Sequence, residues 1–203
     1  MTRRAALRRV GILTVAATLA LYASPGNAAD PAPINVLVTY HSVTGNTEKM
    51  AQGVAEGAKT VPGTTVVLKR VGEVVANDLI SSDALIVGSP VYFANMSGEV
   101  KTFFDNWSLK FDLFRDRKMR NKVGGAFATG LAVSAGKEFT ILGIFAAMLN
   151  NQMIIVSGGG GFGASATTGP ESPGIDEKEL AAARDLGKRV AEVAAVVKRG
   201  STK

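Results

Sequence analysis

Cysteine is absent from this 203-residue chain, and histidine occurs once, as His41. The first absence excludes disulfides, thiolate metal sites, thiolate-bound iron–sulfur clusters and thiol catalysis. The second excludes a zinc site built on several imidazoles, though not a carboxylate site for magnesium or calcium. No acid precedes Asp30, whereas Arg3, Arg4, Arg8 and Arg9 do. The formal charge of +6 therefore falls to +2 once the first 29 residues are set aside. A pI near 9.7 would point to nucleic acid, but much of that basicity lies in a segment that reads as removable, so nucleic acid is not an expected partner. With 46% apolar and 20% charged residues, the rest reads as one ordered domain with a sizeable core.

The four arginines form a basic n-region, and Val10 to Tyr22 is an apolar stretch of 13 residues. Small residues around a turn follow, Ala23-Ser24-Pro25-Gly26-Asn27-Ala28-Ala29. This is the three-part pattern of a secretory signal, and cleavage after Ala28 would place Gly26 and Ala28 at the two small-residue positions. The apolar run falls short of the ~20 residues of a membrane span, so no stable span is expected after cleavage. The alternative is an uncleaved anchor. Thr2-Arg3-Arg4-Ala5-Ala6-Leu7-Arg8 partly matches the twin-arginine motif, with Ala6 where a bulkier residue is usual. The expectation is an export signal over residues 1–29, a domain over residues 30–203 and a periplasmic location.

Beyond the leader the pattern alternates. Ile34 to Tyr40 is a nearly continuous apolar run, as in a strand buried on both faces. Thr47 to Lys59 follows as an amphipathic helix, then a strand over Thr65 to Lys69 and a short helix capped by Asn77 or Asp78. Ala84 to Gly88 reads as the third strand, Gly98 to Trp107 as a helix and Val123 to Thr129 as the fourth strand. A helix over Glu138 to Asn150, a strand over Met153 to Val156 and a helix over Asp176 to Lys198 complete the pattern. Ser157 to Gly174 reads as loop. The expected fold is α/β, a doubly wound five-stranded parallel sheet with helices on both faces. Ligands of such sheets bind beyond the carboxyl ends of the strands.

After the first strand stands His41-Ser42-Val43-Thr44-Gly45-Asn46-Thr47-Glu48. A helix N-terminus offers free N–H groups and positive partial charge. Ser42, Thr44 and Thr47 add hydroxyls, and Gly45 lets the backbone approach a phosphate. The other reading is an ordinary cap, with Thr44 or Asn46 capping the helix. The loop has neither the lysine of G-x-x-x-x-G-K nor a G-x-G-x-x-G, which disfavours nucleoside triphosphates and dinucleotides.

The run Val38 to Val54 resembles the FMN-phosphate pattern of flavodoxins, with Thr39 where that family prefers a bulkier apolar residue. Gly88-Ser89-Pro90-Val91-Tyr92-Phe93-Ala94-Asn95-Met96-Ser97-Gly98 is similar to a loop of the tryptophan-repressor-binding-protein branch of NAD(P)H:quinone oxidoreductases. The resemblance extends along the whole mature domain. It implies a flavodoxin-like fold and FMN held by Ser42, Val43, Thr44, Gly45, Asn46 and Thr47 at the phosphate. Pro90, Val91, Tyr92, Phe93 and Asn95 would hold the ring, with Tyr92 and Phe93 as a wall. Thr129 and Gly130 of the third loop match the family best; Leu131 and Val133 are more apolar than its pattern. The implied activity is two-electron reduction of quinone-like acceptors, with NAD(P)H or another small molecule as donor. A homodimer is compatible with it.

Several features depart from that family. Asn150-Asn151-Gln152 stands where it has two histidines, and the short Val71 to Ser82 segment replaces a long insertion, so tetramer assembly does not carry over. No catalytic side chain is assigned; His41 reads as a loop residue and Trp107 as core or a flavin neighbour. The tract Gly158 to Gly161 with Phe162-Gly163-Ala164 resembles a loop bordering the family's active site. The basic run Lys110, Arg115, Arg117, Lys118, Arg120 and Lys122 reads as a solvated loop. The alternative function is an exported flavodoxin-type electron carrier with a non-nicotinamide donor, because free NAD(P)H is not expected outside the cytoplasm. A flavin-binding protein without turnover is a third class. Ser89 to Gly98 and Thr129 to Lys137 contain no acid, and Lys137 is basic, which disfavours a very low potential and so favours the enzyme.

Overall fold

The structure, a computed structural model, describes residues 33–158, 160–169 and 174–201. The expected leader over 1–29 lies outside the described residues, as do Gly159 and residues 170–173.

The chain alternates strand and helix: β1 (Ile34–Tyr40), α1 (Asn46–Lys59), β2 (Thr64–Arg70), α2 (Ala76–Ser81), β3 (Ala84–Tyr92), β4 (Asn95–Met96), α3 (Gly98–Leu109), β5 (Val123–Gly130), α4 (Lys137–Asn150), β6 (Ile154–Ile155), β7 (Ala164–Thr167) and α5 (Glu177–Ser201). The sheet runs β2-β1-β3-β5, and its last lane is shared. β6 pairs with the start of β5 through Val123–Ile154, and β7 with its end through Phe127–Ala164 to Gly130–Thr167, both parallel. This is a doubly wound sheet of five parallel lanes, the order of a flavodoxin-like fold.

Side chains alternate across it, as a strand's two-residue period requires. Val36, Val38, Ile86 and Phe127 face α1 and α5; Leu37, Leu85, Val87 and Ala128 face the core built with α3 and α4. Burial of both faces explains the unbroken apolar run in β1. Thr39 is the exception: it is buried and its hydroxyl has no hydrogen-bond partner. Helices α1 and α5 approach to backbone contact, since a Cβ on Gly57 would collide with the Arg184 carbonyl and one on Gly187 with the Val54 carbonyl.

Four expectations are corrected. The short helix starts at Ala76 with Val75 as its N-cap residue. Asp78 lies inside its first turn and reaches back, its carboxylate accepting from the Val75 N–H at 2.9 Å. The third strand runs on past Gly88 to Tyr92 because β4 folds back to pair with it. The expected loop Ser157 to Gly174 contains β7, which the open edge of β5 recruits. Trp107 is core, packed against Phe103 and Phe104. The basic run is partly structural: Lys122 donates to the carbonyls of Ile80 and Ser82, and burial pushes its ammonium below the ordinary lysine range.

Burial opposes ionisation of Asp78. Its hydrogen bonds from Lys69 and the Val75 N–H, with the Lys69 charge, outweigh that and hold it below the usual carboxylate range. Stability from such a group is present above its unfolded pKa and lost as pH falls through the folded one. Asp78→Ala is expected to cost about 1 kcal/mol at neutral pH, as for a lost cap. Urea unfolding at stepped pH checks this: the gap to wild type should close as pH falls below the carboxylate range.

Candidate functional site

Helix α1 starts with Gly45 as its N-cap residue, at φ +89° and ψ −15°, and no side chain caps it. Neither Thr44 nor Asn46 plays the expected capping part: the Asn46 amide donates to Thr44 Oγ1 at 3.2 Å instead. Gly45 is needed because its backbone is left-handed, and a Cβ there would point into open space. The Ser42 hydroxyl, nearly buried, accepts from the Gly45 N–H at 3.1 Å and holds the turn. Arg70 braces it from outside, donating to the Ser42 carbonyl at 2.8 Å and to Glu48 at 2.6 Å. The first helical N–H groups thus have no side-chain cap.

Thr47 and Thr129 are 2% and 4% exposed, and their hydroxyls meet at 2.8 Å. This buried bond joins the first turn of α1 to the end of β5. The cleft above it encloses about 150 Å³ and is lined by residues of three loops: Val43, Thr44 and Thr47; Pro90, Val91 and Tyr92; Thr129, Gly130 and Leu131; with Thr168 beside them. Ser42, Gly45 and Asn46 shape the loop rather than the lining.

The ring-side loop is a tight hairpin. Val91 pairs with Met96 and Tyr92 with Asn95, leaving Phe93 and Ala94 at the tip with φ of +51° and +59°. Two left-handed residues fit a type I′ turn, which favours Asn-Gly. Phe93 does not join Tyr92 in a wall; it stands fully exposed at the tip. Asn95 turns inward on its own strand, its side-chain oxygen accepting from the Met96 N–H at 2.8 Å. The β5–α4 loop presses against the tip, where a Cβ on Gly136 would meet Ala94. Val43 and Leu131, each more than 70% exposed, give the cleft an apolar edge.

Two contributors went unrecognised in the sequence. Leu131 lines the cleft, and Thr168 closes it by donating its N–H to the Gly130 carbonyl at 2.8 Å. The hydroxyl pair Thr167-Thr168 was the available signal, hidden in a segment read as loop. Lys137 is buried, and its ammonium donates to Thr167 Oγ1 at 2.6 Å and the Ala132 carbonyl at 3.3 Å.

These residues fit a phosphomonoester ending in a planar ring. The uncapped helix start and hydroxyls suit the anion. Tyr92, Val91 and Leu131 suit a ring lying against the rim, since the enclosed volume holds only the narrow end.

Residues 69–165 match the family model described as NADPH-dependent FMN reductase. A curated relative from Geotalea daltonii, an NAD(P)H dehydrogenase (quinone), is 33% identical over 79% of this chain and 97% of its own length. The chain belongs to this family of FMN-dependent, flavodoxin-like oxidoreductases. An NAD(P)H dehydrogenase (quinone) of Archaeoglobus fulgidus is also 33% identical, over 78% of this chain and 96% of its own. Among solved structures, a flavodoxin, WrbA-like protein from Agrobacterium tumefaciens superimposes with a TM-score of 0.66 at 28% identity. It covers 79% of this chain and 97% of that one. An archaeal flavodoxin shares the fold at a TM-score of 0.63 and 22% identity, over 79% and 99% of the two chains.

The hairpin tip generates a stability prediction. Non-glycine residues in left-handed backbone cost of order 1–3 kcal/mol each. Replacing Phe93-Ala94 by Asn-Gly should therefore raise stability by about 1–2 kcal/mol in urea unfolding. Unchanged or lower stability would show that the Phe93 side chain itself supports the fold.

Proposed function

We propose that this chain reduces quinone-like acceptors by two electrons, with NAD(P)H as donor. FMN is held with its phosphate on residues 42–47 and its ring between Pro90–Tyr92 and Thr129–Leu131. The observation that carries this is the uncapped, glycine-started α1, tied to the end of β5 by the buried Thr47–Thr129 bond, in one cleft that Pro90–Tyr92 of the hairpin also line. Bound FMN would supply reversible acceptance of a hydride equivalent. The protein's share is to bind the phosphate by backbone N–H groups, orient the ring with the hairpin, and present an apolar rim to a hydrophobic acceptor. The relatives' printed names support both substrates.

Protein from residue 29 onward should be yellow and release FMN rather than FAD on denaturation. Thr47→Val should weaken FMN binding by roughly 1–2 kcal/mol, the value of a hydrogen bond to a charged group. Fluorescence titration measures this; chromatography showing FAD, or no flavin after reconstitution, would end the reading.

The leader belongs to the same proposal. Arg3, Arg4 and the apolar run Val10 to Tyr22 support export of the folded, FMN-loaded protein to the periplasm. Replacing Arg3 and Arg4 by lysine should keep the precursor in the cytoplasm in fractionation assays, whereas persisting export would point to the general secretory route.

A further inference from the structure

A cavity of about 650 Å³ lies outside the flavin cleft. It opens between the single 3₁₀ turn Val71–Glu73 and α3, and its wall includes Tyr40, His41, Glu73, Glu99 and Phe103. His41 is the one imidazole of the chain, and its side chain is 14% exposed. Its Nδ1 lies 3.0 Å from Ser97 Oγ and 3.4 Å from a Glu99 carboxylate oxygen. A carboxylate only accepts, so a neutral imidazole that bonds Glu99 through Nδ1 carries its hydrogen there and leaves Nε2 as the free nitrogen.

The imidazole is tied to the flavin cleft by two routes. Its ring meets Tyr92 edge-on at 6.3 Å between centroids. Ser97 and Ser89 are fully buried; the Ser97 N–H donates to Ser89 Oγ at 2.9 Å, and the Ser89 hydroxyl donates to the Pro90 carbonyl at 2.8 Å. Tyr92 and Pro90 both line the cleft. A buried polar chain of this kind holds its members in one arrangement, and changing one end is felt at the other.

We propose that His41 is a positioning residue of the redox site, clamped by Glu99 and Ser97 so that gain or loss of its Nε2 proton acts on the ring-side hairpin. Its partners are the chain's own residues; the effect on flavin rests on the function proposed above. A ring that has taken up two electrons and one proton is negative, so a cation at His41 favours the reduced form. The charged and titratable groups facing it are Glu99 from α3, Arg70 from the end of β2, Glu73 from the turn after it, and the phenols of Tyr40 and Tyr92. Arg70 is already engaged by Glu48 and the Ser42 carbonyl.

A single histidine makes the test direct. Imidazole nitrogen shifts in the FMN-free protein should show the Nδ1–H tautomer above the titration midpoint, and Glu99→Leu should weaken that preference. The Tyr92 ring and Ser97 amide signals should move with the His41 midpoint, and His41→Asn should abolish that movement. In the FMN-loaded protein, the reduced-to-oxidised ratio at fixed donor potential should show an extra severalfold rise on going below that midpoint, absent in His41→Asn. Hairpin signals that ignore the His41 titration, or an Nε2–H tautomer, would overturn the proposal. So would an identical redox profile in His41→Asn. Failure to bind FMN would instead strike the function proposed above, and the FMN-free spectra would still decide the role of His41.

Discussion

The start of α1 is the constraint around which the site is organised. A helix N-terminus normally finds side-chain partners for its first N–H groups; here no side chain caps them, and Thr44 and Thr47 at this end line the cleft. Such a start persists only if the helix is fixed by other means. Backbone contact with α5 at Gly57 and Gly187 supplies one anchor, and Arg70 on the loop carbonyl supplies another. The helix's free end is thereby available to an anion rather than spent on its own fold.

The ring-side hairpin shows the opposite economy. Its tip is strained at Phe93 and Ala94, yet its base is bound to the core. Ser89 and Ser97 are buried, and β3 is held along most of its length by β1 and β5. A rigid base under a strained tip lets the hairpin hold Pro90 to Tyr92 in place, with the β5–α4 loop closing against it. The apolar edge formed by Val43 and Leu131 then borders the cleft on loops that follow β1 and β5.

The same chain of buried serines gives the only imidazole a connection that its sequence position conceals. His41 stands next to the phosphate loop in the chain, but its hydrogen bond goes to Ser97, and Glu99 lies beside it, at the start of α3. It lines the larger cavity rather than the cleft.

Periodicity and turn chemistry were enough to read the five parallel lanes, the helices between them and the three loops that meet at the cleft. An apolar run buried on both faces and a helix with a 3.6-residue stripe are local signals. What the sequence alone left open is what depends on partners distant along the chain. β7 forms because the end of β5 has an open edge, and the hairpin because β4 returns onto β3. Asp78 lies within the first turn of α2 because its carboxylate reaches back to the Val75 N–H, and Lys69 from the neighbouring strand holds it there. The contribution of Thr168, the exposure of Phe93 and the partners of His41 follow from the same kind of contact. Residue types and spacing determined the sheet and the chemistry of its loops. Only the tertiary structure decided which of those groups meet, because hydrogen bonds such as Thr47 to Thr129 join residues that no local pattern relates.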